Sequence, residues 1–273
     1  MRPHFGHGLS LRPEHFQSLL DVPMPVSFME LLTERFLDAR GGVRVQVLEK
    51  VREEVPVALH CTTLSIGSVD PLDRGHLERV RALADHLQAV WISDHLAWCS
   101  LDGRDLELMP LPYNEECLEH LVRRVQAVQD VLGPVPLLLE NPSSHLEFAT
   151  STMPEWEFLG TVAQRSGCRI LLDLNNVLVS SENLGFDPAR YVAALPADSV
   201  WQIHLSGHRP SRTSITIDNH EGPVPEAVWS LYRQAVQRFG PVSTILEWDS
   251  NVPPLPQLVA ECDKAAALES ECL

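Results

Sequence analysis

The chain has no run of eighteen apolar residues, no Cys-x-x-Cys pair, no low-complexity linker and only two lysines, Lys50 and Lys264. The first absence excludes an apolar membrane-spanning helix. The N-terminal MRPHFGHGLSLRPEHF also lacks the apolar core of a signal peptide, so a cytoplasmic protein without membrane contact is expected. The six cysteines (Cys61, Cys99, Cys117, Cys168, Cys262, Cys272) are too scattered for a disulfide framework and read as reduced thiols. A formal charge of -16 without any basic run repels a phosphate backbone, which excludes nucleic acid as a first partner. With no shift of composition to mark a boundary, residues 1–273 are expected to form one domain.

What is there is an alternation of strand-like and helix-like segments. Strand candidates are GLSLR (8–12), VSFMEL (26–31), VALHCTT (57–63), VWISDHL (90–96), PLLLEN (136–141), ILLDLNN (170–176), VWQIHLS (200–206) and STILEWD (243–249). Between them, 72–89 places Leu77, Val80, Leu83, Ala84 and Leu87 on one helical face, and 114–133 does the same with Leu118, Leu121, Val122, Val125 and Val128. The latter opens on Asn114, a good N-cap, and stops at Gly133-Pro134; 223–240 repeats the design. Eight strands, each followed by a helix or long connection, predict an α/β fold of the (β/α)8 TIM-barrel type. A doubly wound open sheet is the alternative, but GHGLSLR is not the GxGxxG of that fold. The first two units are the least helical, with the proline-rich DVPMPVS as a connection.

In a barrel the C-terminal strand ends share one mouth. Those ends carry His60, His95 beside Asp94, Glu140, Asp173 with Asn175, His204 and Glu247. One such residue has an ordinary explanation as a satisfied core group or turn cap. Several buried carboxylates and imidazoles together are prohibitive unless they are paired or hold cations, and they are the ligand set of hard to borderline divalent metals. Without a cysteine quartet the pattern suggests an open, catalytic site. Asp218 and His220 in TIDNHEGPV point the same way in extended chain and enlarge the set beyond what one octahedral ion uses, so two or three metals are implied. Glu140 or Asp173 would be natural bridges. His208, four residues after His204, is a candidate for orienting a ligand or touching substrate, and Asp94 for orientation. His76, His86 and His120 fall on helices as surface residues, Cys61 reads as a small core filler, and His7 and His145 stay open.

The motifs GLSLRPEHF, FMELLTE, ALHCTTLSIGS, ISDHLAW, LENPSS, LLDLNNVLVS, IHLSGH, IDNHEGPV and LEWDSNVP resemble, in order and over nearly the whole chain, the multinuclear non-haem iron-dependent oxidative enzymes. That family includes the enzymes of methanobactin and 3-thiaglutamate biosynthesis. The resemblance implies a xylose-isomerase-like barrel holding two or three irons. It also implies O2 as co-substrate, a ribosomally made precursor peptide modified at cysteine, and a small partner protein that delivers it. Position by position it marks His60, His95, Glu140, His204, Asp218, His220 and Glu247 as iron ligands, with Asp173, Asn175 and Asn176 all candidates for the remaining one. The chain departs from the family at Arg35, where Asn commonly follows Glu34, and at Leu184, where His is common. Rival readings are a sugar isomerase or epimerase, an abasic-site endonuclease, and a metal-binding scaffold without catalysis. An isomerase would usually show a lysine near its metals, and both lysines lie in helical patterns away from strand ends.

Overall fold

Residues 2–208 and 215–273 are described by a computed structural model. Eight parallel strands close a barrel: β1 (His7–Ser10), β2 (Phe28–Leu32), β3 (Val57–His60), β4 (Ile92–His95), β7 (Leu137–Glu140), β8 (Arg169–Asp173), β9 (Val200–Leu205) and β10 (Ser243–Leu246). Each neighbours the next in this order, and β1 pairs with β10 to complete the ring. The helices are α1 (Phe16–Asp21), α2 (Val43–Glu54), α3 (Arg74–Leu87), α4 (Glu115–Leu132), α5 (Glu155–Ser166), α6 (Leu174–Leu184), α7 (Pro188–Ala194), α8 (Glu226–Phe239) and α9 (Leu255–Cys272). All eight expected strands are present, and the α/β barrel reading holds.

The helix signals act where the sequence puts them. The Asn114 side chain accepts the Cys117 amide at 3.0 Å to cap α4, Gly133 leaves it at φ 72°, and the predicted face Leu118, Leu121, Val122, Val125 and Val128 is buried. In the first unit a 3-10 turn (Pro13–His15) and the six-residue α1 stand in place of a full helix.

Two differences matter. The strand read over 170–176 stops at Asp173, whose Oδ1 accepts the Asn176 amide at 2.7 Å and caps α6, so Asn175 and Asn176 are helical. An antiparallel hairpin, β5 (Trp98–Leu101) and β6 (Arg104–Met109), follows β4 outside the barrel. Its turn residues Asp102 and Gly103 have φ of 51° and 69°, as a two-residue hairpin turn requires.

Strand periodicity arranges the barrel interior in layers. Phe28, Ala58, Trp91, Leu138, Leu171 and Ile245 form an apolar plug. Two residues further along the same chain segments, on the same face, come Glu30, His60, Ser93, Glu140, Asp173 and Glu247. The register aligns His95 with Glu140 and Asp173 with His204, so the polar residues share one level at the mouth. Among the described residues no helix is long and apolar enough to cross a membrane. All six cysteines are free thiols, and Cys61 lies wholly inside the core, as a filler would.

Candidate metal centre

The polar level holds three groups of donors, and within each the donor atoms lie within 4.8 Å of one another: His60, His95 and Glu140; Glu140, Asp173 and His204; Asp173, His220 and Glu247. Glu140 turns Oε2 toward His60 and His95, at 3.4 and 3.5 Å, and Oε1 toward His204 Nδ1 at 3.6 Å. Asp173 Oδ2 lies 3.9 Å from His204 Nδ1 and 3.8 Å from His220 Nε2. Glu247 Oε2 stands 3.1 Å from His204 and 3.2 Å from His220.

Most of these atoms are buried without a hydrogen bond. Glu140 Oε2, Asp173 Oδ2, His204 Nδ1 and both nitrogens of His220 have none. Leaving such groups unsatisfied costs about 1–3 kcal/mol each, more when charged, so something must normally occupy the space between them. Carboxylate and imidazole suit divalent cations, and the donor set therefore fits a metal.

Electrostatics say the same. Burial alone would lower the His95 pKa, but the carboxylates of Glu140, Asp94 and Glu247 outweigh it and hold the imidazole at about 9. His204 and His220 are likewise pushed well up against burial, His204 by Glu30, Glu140 and Glu247 and His220 by Asp218 and Glu247. Glu140, despite burial, is drawn down to about 2 by His95, His204 and His60. Asp173 goes the other way, to about 8, chiefly through burial and then the repulsion of Glu140 and Asp218. Without metal, protons on imidazoles and on Asp173 do the neutralising that cations would do.

The surroundings fix the donors. His60 Nδ1 meets Ser93 Oγ at 2.8 Å, which leaves Nε2 facing Glu140. Asp94 Oδ2 accepts the Leu64 amide at 2.8 Å and Oδ1 that of His95 at 2.6 Å. Asp94 Oδ1 also lies 3.5 Å from His95 Nδ1, so Asp94 braces that imidazole from behind, and burial raises its pKa. Asp218 lies 3.0 Å from His220 Nε2, outside the three groups. Asn175 donates to Asp218 at 2.9 Å and meets His208 Nδ1 at 2.6 Å through its oxygen. Both ends of its amide are therefore engaged, one on Asp218 and the other on His208. Asn176 donates to the Asn141 carbonyl at 3.1 Å. His220 adopts φ 42°, a left-handed conformation uncommon outside glycine and frequent at functional sites.

The sequence reading passed over several neighbours. Glu30 Oε1 lies 2.9 Å from His204 Nε2, and Gln202 donates to Glu30 at 2.5 Å. Buried Arg12 donates to Glu247 Oε1 at 2.8 Å and pairs with Asp249. Asn141 locks the end of β8 by bonding both the amide and the carbonyl of Asp173, at 2.9 and 3.0 Å. The signal for Glu30 was a carboxylate inside an apolar strand, the same kind as His204. The open histidines fall elsewhere: His7 is buried on Tyr232 Oη at 2.9 Å, and His145 is exposed.

Comparison with known proteins adds the family. Residues 6–270 match the family described as RiPP precursor modification enzyme MbnB/TglH/ChrH. A UPF0276 protein of Anaeromyxobacter sp. (strain Fw109-5) is 52% identical over 269 residues, covering 98% of this chain and 94% of its own. A UPF0276 protein of Caulobacter vibrioides is 46% identical over 269 residues, covering 98% and 95%. Among solved structures, endonuclease IV from Thermus thermophilus superposes with a TM-score of 0.60 at 16% identity, over 98% of this chain and 99% of that one. D-psicose 3-epimerase from Clostridium cellulolyticum gives 0.59 at 12% identity, over 99% and 97%. Likeness at that identity shows the shared xylose-isomerase-like TIM barrel and nothing about reaction.

Proposed function

The chain belongs to the family of RiPP precursor modification enzymes MbnB/TglH/ChrH, and on that premise we propose that it uses two or three irons and O2 to oxidise cysteine residues of a ribosomally made precursor peptide. The observation that carries this is the sharing of Glu140 and Asp173 among three donor groups. His60, His95 and Glu140 would hold one ion, Glu140, Asp173 and His204 a second, and Asp173, His220 and Glu247 a third, with Asp218 completing the third position and Asn175 aligning Asp218. When bound, the irons supply redox chemistry with O2 and the Lewis acidity that lowers the pKa of a substrate thiol.

The chain's own residues do the rest. Asp94 fixes the backbone at His95 and Leu64. Arg12 offsets the charge of Glu247 and Asp249. His208, half-buried and held by Asn175, is the residue assigned to touch the incoming peptide in this proposal. Near-complete burial of Asp173, Glu140 and His204 keeps bulk water from the oxidising centre. A small partner protein that presents the peptide and a cytoplasmic setting, which the free thiols suit, belong to the same proposal. The isomerase reading loses its lysine: Lys50 bonds the Leu20 and Val22 carbonyls, and Lys264 lies over the Trp229 ring.

The test is metal quantification on anaerobically purified protein, followed by assay against short cysteine-bearing peptides encoded beside the gene, with and without O2 and the partner. Iron at two to three equivalents and product only when metal and O2 are both present are the expected results. Turnover without O2 would return the reading to the epimerases and endonucleases. A partner complex that survives His204→Ala and Glu247→Ala without any turnover in the wild type would favour a scaffold.

A further inference from the structure

A cavity of about 140 Å³ lies between the chain segments that follow β4, β7 and β8, the strands that end in His95, Glu140 and Asp173. Its wall is apolar, from Leu111, Phe148, Trp156 and Phe186, and Leu146 and Leu184 stand exposed at its rim. Ser144 on its floor is four residues beyond Glu140, at most roughly 14 Å along an extended chain. The volume falls below the roughly 300–1,000 Å³ of sites that hold a whole small molecule. It is the size for one side chain.

The floor is polar and acidic. The Glu155 carboxylate, at the first turn of α5, accepts Tyr113 Oη at 2.6 Å, Tyr191 Oη at 2.7 Å and Ser144 Oγ at 3.3 Å. Among the described residues none of the ion pairs includes Glu155. The nearby Arg190 guanidinium lies over the Trp156 ring, 5.4 Å from its centroid. Burial raises the Glu155 pKa, with the three hydroxyl donors opposing it. A carboxylate kept in an apolar cavity by hydroxyls alone is stabilised further by any cation that reaches it. Apolar walls ending at an acid match a side chain with a methylene stem and a cationic head.

We propose that this cavity is a subsite for a lysine or arginine of the peptide substrate, its methylenes against Trp156 and Phe186 and its cation on Glu155. The assignment rests on the reading of the substrate as a peptide. It makes the residue next to the reacting cysteine, or one a few positions away, a determinant of which peptides are accepted.

The test is calorimetric or NMR titration of the protein as purified with Nα-acetyl-lysine N-methylamide, its arginine counterpart and its uncharged norleucine counterpart. At least one cationic probe should bind tenfold or more tighter than norleucine, and the tighter of the two identifies the residue. Glu155→Gln should abolish that preference while leaving norleucine binding unchanged. If Glu155→Gln fails to fold, Leu184→Trp at the exposed rim should close the cavity to every probe. Norleucine binding as well as the cations, no probe binding at all, or a preference that survives Glu155→Gln or Leu184→Trp would each overturn the subsite. Because these titrations need neither O2 nor turnover, failure of the oxidative chemistry with the preference intact would count against the metal reading alone.

Discussion

Glu30 Oε1 lies 2.9 Å from Nε2 of His204, on the opposite side of the imidazole from Glu140, Asp173 and Glu247, which all approach Nδ1. A carboxylate behind a ligating histidine fixes its tautomer and ring plane, and losing it typically costs 10–100-fold in metal affinity. Glu30→Gln is therefore expected to weaken metal binding by about that factor, read by chelator competition, while circular dichroism stays unchanged. Unaltered affinity would mean that Gln202, 2.9 Å from the same nitrogen, suffices to hold the ring.

Shared and unshared donors should differ in metal count. Asp173 belongs to two of the three groups and His60 to one. Asp173→Ala is expected to lose more metal equivalents than His60→Ala when both are loaded anaerobically and assayed by mass spectrometry. Equal losses would show that Asp173 serves only one of its two groups, and no loss would leave it only the cap of α6.

The pH dependence of the metal-free protein has a definite sign. His95 titrates at about 9 in the fold against 6.5 unperturbed, so its contribution to stability is complete below pH 6.5 and is lost as pH rises through 9. Asp173, raised from 3.8 to about 8, also favours the folded state less as pH climbs over that interval. Glu140, lowered to about 2, contributes fully above 4.5 and fails only in strong acid. The melting temperature without metal should thus fall between pH 6.5 and 9, and metal uptake should release protons and strengthen with pH. A stability that rises over that interval would contradict the proton-filled cluster.

Gly207 sits where β9 leaves the barrel, and a Cβ there would run into the carbonyl oxygens of Gly222 and Pro223. Those residues follow closely on His220, so Gly207→Ala should push the His220 segment away from β9. About 1–3 kcal/mol of destabilisation is expected, with weaker binding of the metal nearest Glu247, checked by thermal melts and metal titration. Full metal affinity in Gly207→Ala would mean that the segment yields without moving His220.

The barrel was legible because burial on both faces leaves unmistakable apolar runs, and a charged or imidazole residue at the end of each run stands out against them. Glu30 was within reach of the same reading, since it stands as close to the end of VSFMEL as Glu140 does to the end of PLLLEN, but the weakly helical second unit drew attention away from its strand. The hairpin escaped for a different reason: all six residues of β6 are exposed, so no core face patterned them, although Asp102-Gly103 was a usable turn signal. Asn175 was placed on a strand face because ILLDLNN keeps its apolar spacing through Asp173, and the cap that converts strand to helix there is a single hydrogen bond. Glu155 carried no pattern, since its partners Tyr113, Ser144 and Tyr191 come from separate connections.

The middle donor group owns almost nothing. Glu140 is held in common with one neighbour and Asp173 with the other, which leaves His204 as its single private member. Any inherited change at either communal carboxylate is felt at two addresses at once, whereas a change at His204 empties the centre of the row and spares both ends.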